Sequence, residues 1–243
     1  MRRLLLATAS IMAVGAPAYA QNISVAVQED GQPLTLFTCA NGQPCDLSGS
    51  PTSVLFGPST IGDFSIVFTA GSQEFSPDRL SVGQVQITNN SSSTQTLDLA
   101  ISAVGYPDSV PGFQTTASAT MDAGTATLSA SYFANNLNQL GAQVSGTDAG
   151  LGASFLDTIN SGTLSGTQSF ANTVGVGFSA TAPYSLAEVV QITLSPGGEI
   201  TTQGVSMAAV PEPRTWLLAG LGFAILGLMG IRRNRTHKTV FAG

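Results

Sequence analysis

Apolar residues recur at every second position through much of this chain. Ile23, Val25 and Val27 alternate with polar or small residues, and Phe64, Ile66 and Phe68 repeat the pattern. Val85 and Ile87 continue it, then Leu97, Leu99 and Ile101, then Leu128 and Tyr132. Val174, Val176 and Phe178 follow, and Val190, Ile192 and Leu194 close the series. A period of two puts one face of each strand into a core and the other into water. Turn formers separate the runs: Glu29-Asp30-Gly31, Ser76-Pro77-Asp78, Asn89-Asn90-Ser91-Ser92-Ser93, Tyr106-Pro107-Asp108 and Ser195-Pro196-Gly197-Gly198. No segment between residues 21 and 209 carries a capped apolar stripe of helical period, and no fixed-period repeat indicates a solenoid. The pattern predicts an all-β domain of about ten short strands, a single β-sandwich of jelly-roll or immunoglobulin-like type. Residues 134–163 are the least readable. Rich in Gly, Ala, Asn and Ser, they fit two short strands with long loops or one helical turn.

The two ends follow different rules. Met1 to Ala20 reads as a signal peptide, with Arg2 and Arg3 as its positive region and Leu4 to Val14 as its apolar region. Ala18 and Ala20 supply the small residues that signal peptidase requires, so the mature chain begins at Gln21. At the other end, Val210-Pro211-Glu212-Pro213 precedes an uncharged apolar run ending at Ile231, and Arg232, Arg233 and Arg235 follow it. The predicted transmembrane helix covers residues 215–231. At ~1.5 Å per residue the run from Trp216 makes a helix of roughly 24 Å, short of the ~30 Å hydrocarbon core. Snorkelling arginines close that gap. The prolines cannot donate backbone hydrogen bonds, so the helix begins after them. The basic cluster puts residues 236–243 in the cytoplasm and residues 21–209 outside it.

This tail, residues 210–235, resembles the PEP-CTERM sorting signal of Gram-negative bacteria, also labelled the C-terminal domain of ice-binding proteins. Arg214 departs from the pattern, which more usually has a small polar residue there, and residues 236–243 trail beyond the arginines. The resemblance implies recognition of Val210, Pro211, Glu212 and Pro213 by an exosortase, a membrane-embedded cysteine transpeptidase or protease. It further implies a precursor anchored in the inner membrane and then moved to the cell surface or extracellular matrix. Proteins of that family often accompany exopolysaccharide and biofilm production, which makes exopolysaccharide an implied partner.

Charge narrows the function of the intervening domain. Of the 14 acidic residues in the chain, all but Glu212 fall between residues 21 and 209, where Arg79 is the only basic residue. Nucleic acid is excluded as a partner, because phosphate binding needs clustered Lys and Arg. Lysine and histidine are absent from this domain, since His237 and Lys238 follow the apolar run. No Ser-His-Asp triad, Cys-His pair or His-ligated zinc can be assembled.

Carboxylate chemistry of the glycosidase type survives by composition, with Glu29, Asp30, Asp63, Glu74, Asp98, Asp157, Glu188 and Glu199 as candidates. Dispersed carboxylates read more simply as turns and wet strand faces, so no catalytic residue is assigned. No cofactor is implied. Asp148-Ala149-Gly150 and Glu29-Asp30-Gly31 are isolated fragments and do not make a calcium loop, so no metal ligand is assigned either. Cys39 and Cys45 flank an Asn41-Gly42 turn and, in an exported chain, read as a structural disulfide. A platform for sugar stacking would have to come from Tyr106, Tyr132 or Tyr184, because Trp216 lies in the tail. The sequence therefore predicts a non-enzymatic surface or matrix protein, with a polysaccharide-binding module or a carboxylate-dependent glycoside hydrolase as the alternative.

Overall fold

The computed structural model describes residues 23–30, 37–40, 42–43, 46–50, 52–55, 57–68, 71–75, 78–139 and 153–210. The signal peptide, Cys45, Asp148-Ala149-Gly150, the sorting motif from Pro211 onward, the apolar tail and its arginines lie outside these residues. The side chain of Cys39 does too, so the disulfide pairing falls outside the description.

Strands follow one another with no helix among the described residues. The first eight are β1 (Ile23–Glu29), β2 (Phe37–Ala40), β3 (Ser53–Val54), β4 (Ser59–Ile61), β5 (Phe64–Phe68), β6 (Gly71–Phe75), β7 (Asp78–Val82) and β8 (Val85–Asn89). Longer strands follow: β9 (Gln95–Tyr106), β10 (Val110–Ala123), β11 (Thr125–Asn135), β12 (Ser154–Ser165), β13 (Ser169–Ala180), β14 (Tyr184–Leu194) and β15 (Glu199–Ala209). They form two antiparallel sheets. The six-stranded sheet has the order β12-β11-β14-β9-β1-β2. The nine-stranded sheet starts β13-β10-β15 and then forks. The first part of β15 pairs with β8, leading to β5 and β4, and its later part pairs with β7, leading to β6 and β3.

The core lies between the sheets. Val25, Leu99, Ile101, Leu128, Val190 and Ile192 point into it from one side, and Leu80, Ile87, Phe113, Ile200, Val205 and Met207 from the other. Removing one such side chain from water contributes about 1.5–3 kcal/mol, and this alternating burial sets the strand register. The all-β sandwich expected from the periodicity is therefore present.

Gly124 links β10 to β11 at a sheet corner with φ +78°. A Cβ there would lie 2.6 Å from Ser195 Oγ and 2.9 Å from Gly198 Cα. The adjoining Thr125 N–H donates to Ser195 Oγ at 3.0 Å, which locks the corner against the β14–β15 turn.

Two expectations need correction. Among the described part of residues 134–163, positions 154–163 belong to one long strand, β12, where two short strands with long loops or a helical turn were expected. Its pairing with β11 shifts register between Thr127 and Ser129 and again between Tyr132 and Phe133. Bulges change which parity points inward, so Ile159 and Leu164 both face the core and no simple alternation is visible. The strand total is also higher than the periodicity suggested. β10 hides because its inward positions, Thr115, Ala117 and Ala119, barely contrast with the Thr and Ser facing out.

Candidate functional surface

The three tyrosines of the domain are not a stacking platform. Tyr106, Tyr132 and Tyr184 are all 0% exposed. Each crosses from the six-stranded sheet to a hydrogen-bond acceptor on the other. The Tyr132 hydroxyl donates to Thr116 O at 2.7 Å, Tyr106 to Arg79 O at 3.0 Å and Tyr184 to Asp78 Oδ2 at 2.8 Å. Tyr106 and Tyr184 also stack, with ring centroids 5.3 Å apart, and Phe113 meets Tyr184 edge-on at 5.9 Å. A buried phenol needs an acceptor, and here the acceptor lies on the opposite layer. The tyrosines staple the sheets together.

The candidate carboxylates are scattered. Glu29 is buried and accepts the Asp63 N–H at 2.9 Å, which fixes the β4–β5 turn. Glu74 pairs with Arg79 at 3.9 Å across β6 and β7, both of them exposed. Glu199 accepts a hydrogen bond from Gln86. Asp157 points inward at the sheet edge, 3.4 Å from Thr115 Oγ1. Asp30 lies at the end of β1, near Asp98 on the outer face of β9. Burial pushes Asp98 up to about 6, the Gln191 bond opposes this and the Asp30 charge adds to it.

Two acids that matter to the fold lie deeper. Glu188 on β14 points into the core, is 0% exposed, and neither oxygen has a partner in hydrogen-bond geometry. Burial drives its pKa well above the usual carboxylate range, and the Met207 amide and the Arg79 charge do not outweigh it. Asp78, absent from the sequence candidates, is pushed up to about 6 chiefly by burial, with the Tyr184 bond opposing, the Asp108 charge adding to the rise and the Asp108 backbone amide opposing it. Only its position after Ser76-Pro77 signalled a turn. Nothing in the sequence signalled that it would be buried.

The most extended feature is the outer face of the nine-stranded sheet. Register places Thr173, Thr116, Ser206, Ser81, Ser72 and Ser53 side by side on six successive strands. At ~4.8 Å between strands the row spans roughly 24 Å. Thr116 and Thr173 hydroxyls lie 3.2 Å apart, and those of Ser72 and Ser81 2.7 Å apart. A parallel row puts Gly175, Gln114, Ala208, Arg79 and Glu74 beside it, and Thr120 and Ser169 pair hydroxyls at 3.1 Å further along. Among the described residues this face carries no aromatic side chain. The alignment of these hydroxyls depends on pairing between strands far apart in sequence, which local pattern does not encode. Phe155, which with Leu156 and Ile159 forms a short apolar patch in the sequence, lies on the outer face of the six-stranded sheet. It is 59% exposed and packs edge-on against Phe133 at 5.7 Å.

No protein-family model matches the chain, and no curated protein matches it. Among solved structures it is similar to the carbohydrate-binding module TmCBM61 in complex with β-1,4-galactotriose. That similarity has a TM-score of 0.32 and 6% identity over 60% of this chain and 88% of that one. A second is TmCBM27, a module of specific mannan recognition, at TM-score 0.28 and 11% identity over 61% and 81%. A third is the enzymatically active domain of tailspike protein 4 from bacteriophage CBA120. Its TM-score is 0.34 at 14% identity, and the match covers 62% of this chain but 20% of that one. The overlap is loose in each case, and function is read from this chain's own residues.

Proposed function

We propose that this is an exported, exosortase-sorted protein of the cell surface or extracellular matrix, and that its sandwich is a non-enzymatic structural domain. The observation that carries the reading is the hydroxyl row from Ser53 to Thr173. Hydroxyls at strand spacing both donate and accept, so such a face exchanges hydrogen bonds with water and with hydrated exopolysaccharide without selecting one sugar. The buried state of Tyr106, Tyr132 and Tyr184 supports the same reading, since it commits them to holding the sheets. Sorting rests on Val210, Pro211, Glu212 and Pro213. β15 ends at Ala209, and the Val210 N–H donates to Gly112 O at 2.9 Å, so the motif follows the last strand without a linker. The runner-up is a polysaccharide-binding module using the exposed ring of Phe155.

Glu212→Ala and Pro213→Ala test the sorting. Each should leave export and folding intact while precursor accumulates in the inner membrane, and deleting the exosortase should do the same. Unchanged surface delivery in all three would reduce the tail to an anchor. The domain's role is tested by presenting the protein to a glycan array. Broad, weak retention fits the structural role, and one glycan bound tightly and lost in Phe155→Ala would replace it with the binding module.

A further inference from the structure

Among the described residues five strands end the two sheets, and four of them are blunted. β2 has 4 residues, β3 has 2 and β4 has 3, too few to template another strand. β12 is long, but two bulges break it and Asp157 points inward from it. β13 is different. It is 12 residues long and pairs with β10 in unbroken register from Ser169 to Gly177. It holds no proline, and no charged residue occurs between Asp157 and Glu188, although the domain is otherwise strongly acidic.

Backbone direction shows what this edge offers. Thr115 Oγ1 donates to Val174 O at 3.3 Å, so the Val174 backbone faces β10. The N–H of Thr173 faces away and is met at 2.9 Å by Asn172 Oδ1. Residues 171, 173, 175 and 177 therefore turn their backbone groups to the open side. On the core side Phe170, Val174 and Phe178 are only partly buried, packed against the core and unsealed by a further strand. On the outer side a Cβ at Gly175 or Gly177 would meet nothing within 4 Å.

We propose that β13 adds antiparallel to β13 of a second copy of this chain, about a two-fold axis at Val174. That axis sets Phe170 opposite Phe178, Val174 opposite itself, Thr173 opposite Gly175 and Ala171 opposite Gly177. Phe170, Val174 and Phe178 then meet their counterparts over the unsealed core, with Asn172 opposite Val176, and on the outer side Thr173 and Ala171 face glycines. The pairs 173–175 and 171–177 exchange backbone hydrogen bonds, and the partner's Gly175 carbonyl replaces Asn172 Oδ1 on the Thr173 N–H. The interface is isologous and closes at two copies. It joins the two nine-stranded sheets into one continuous sheet.

Sedimentation of the full-length protein in detergent tests this, with Thr173→Lys and Gly175→Pro as variants. Both residues sit on the open edge, and Gly175→Pro removes an N–H that β10 does not use. Wild type should sediment as a dimer, and both variants as monomers with unchanged far-ultraviolet circular dichroism. In native envelopes Val174→Cys should cross-link to itself on mild oxidation, because a non-hydrogen-bonded antiparallel pair brings Cα atoms within disulfide range. Thr163→Cys on β12 should not. A monomeric wild type, a dimer that survives both edge variants, or equal cross-linking from Thr163→Cys would each overturn the proposal.

Discussion

The hydroxyl of Tyr184 donates to Asp78 Oδ2 at 2.8 Å, joining the first residue of β14 to the first residue of β7 across the sandwich. Asp78 Oδ1 has no partner, so this bond is the main side-chain support for a carboxyl that is 2% exposed. Tyr184→Phe should therefore cost about 1–3 kcal/mol, the range for leaving a buried polar group unmet. The bond also favours ionised Asp78, so the loss should be larger at pH 7.5 than at pH 4.5. Urea denaturation at the two pH values measures both, and an equal loss at each would contradict the second part.

Acidification should stabilise the domain. A carboxyl whose folded pKa is raised holds its proton more tightly in the folded chain than in the unfolded one. Its contribution to stability is complete below the unfolded value of 3.8 and falls as the pH rises to about 6, where Asp78 and Asp98 ionise in place. Each group accounts for on the order of 1–3 kcal/mol across that window. Relief of repulsion among the other acids acts in the same direction. Thermal melting should accordingly occur at higher temperature at pH 4.5 than at pH 7.5, and the reverse order would refute the assignment.

Glu188 carries that trend to higher pH, because its folded pKa lies well above the usual range. Glu188→Leu replaces an unpartnered buried acid with an apolar side chain of similar size. It should raise stability by about 1–3 kcal/mol at pH 7.5 and by less at pH 4.5. Denaturation midpoints of the variant and wild type across pH provide the check. A destabilised variant at pH 7.5 would mean that the carboxyl has a partner of real strength.

Gly124→Ala should destabilise by about 2 kcal/mol or more. Its φ of +78° strains an L side chain, and the backbone of Gly198 blocks the space a methyl needs. Gly175→Ala, with open space around it, should change stability by less than about 0.5 kcal/mol. Melting temperatures of the two variants, taken side by side, separate the effects.

The sheets were readable where inward residues are large and unbroken in parity, as in β1, β9 and β14. Reading failed in β12, where bulges switch parity, and in β10, where alanine and threonine fill the core positions. At the surface, the row from Ser53 to Thr173 arises from successive strand pairings that local pattern does not encode. Asp78 and Glu188 were likewise invisible as buried acids. Their burial is decided by the opposing sheet, through Tyr184 in one case and the Met207 strand in the other.

The exit of the chain has a mechanical meaning. β15 is gripped on one flank by β10 along nearly all its length and on the other by β8 and then β7. Tension on the segment beyond Val210 runs lengthwise along β15, so many rungs must slip together before any gives way. A strand peeled from a sheet edge loses its rungs one at a time. Pulled from its tail, this domain resists in shear.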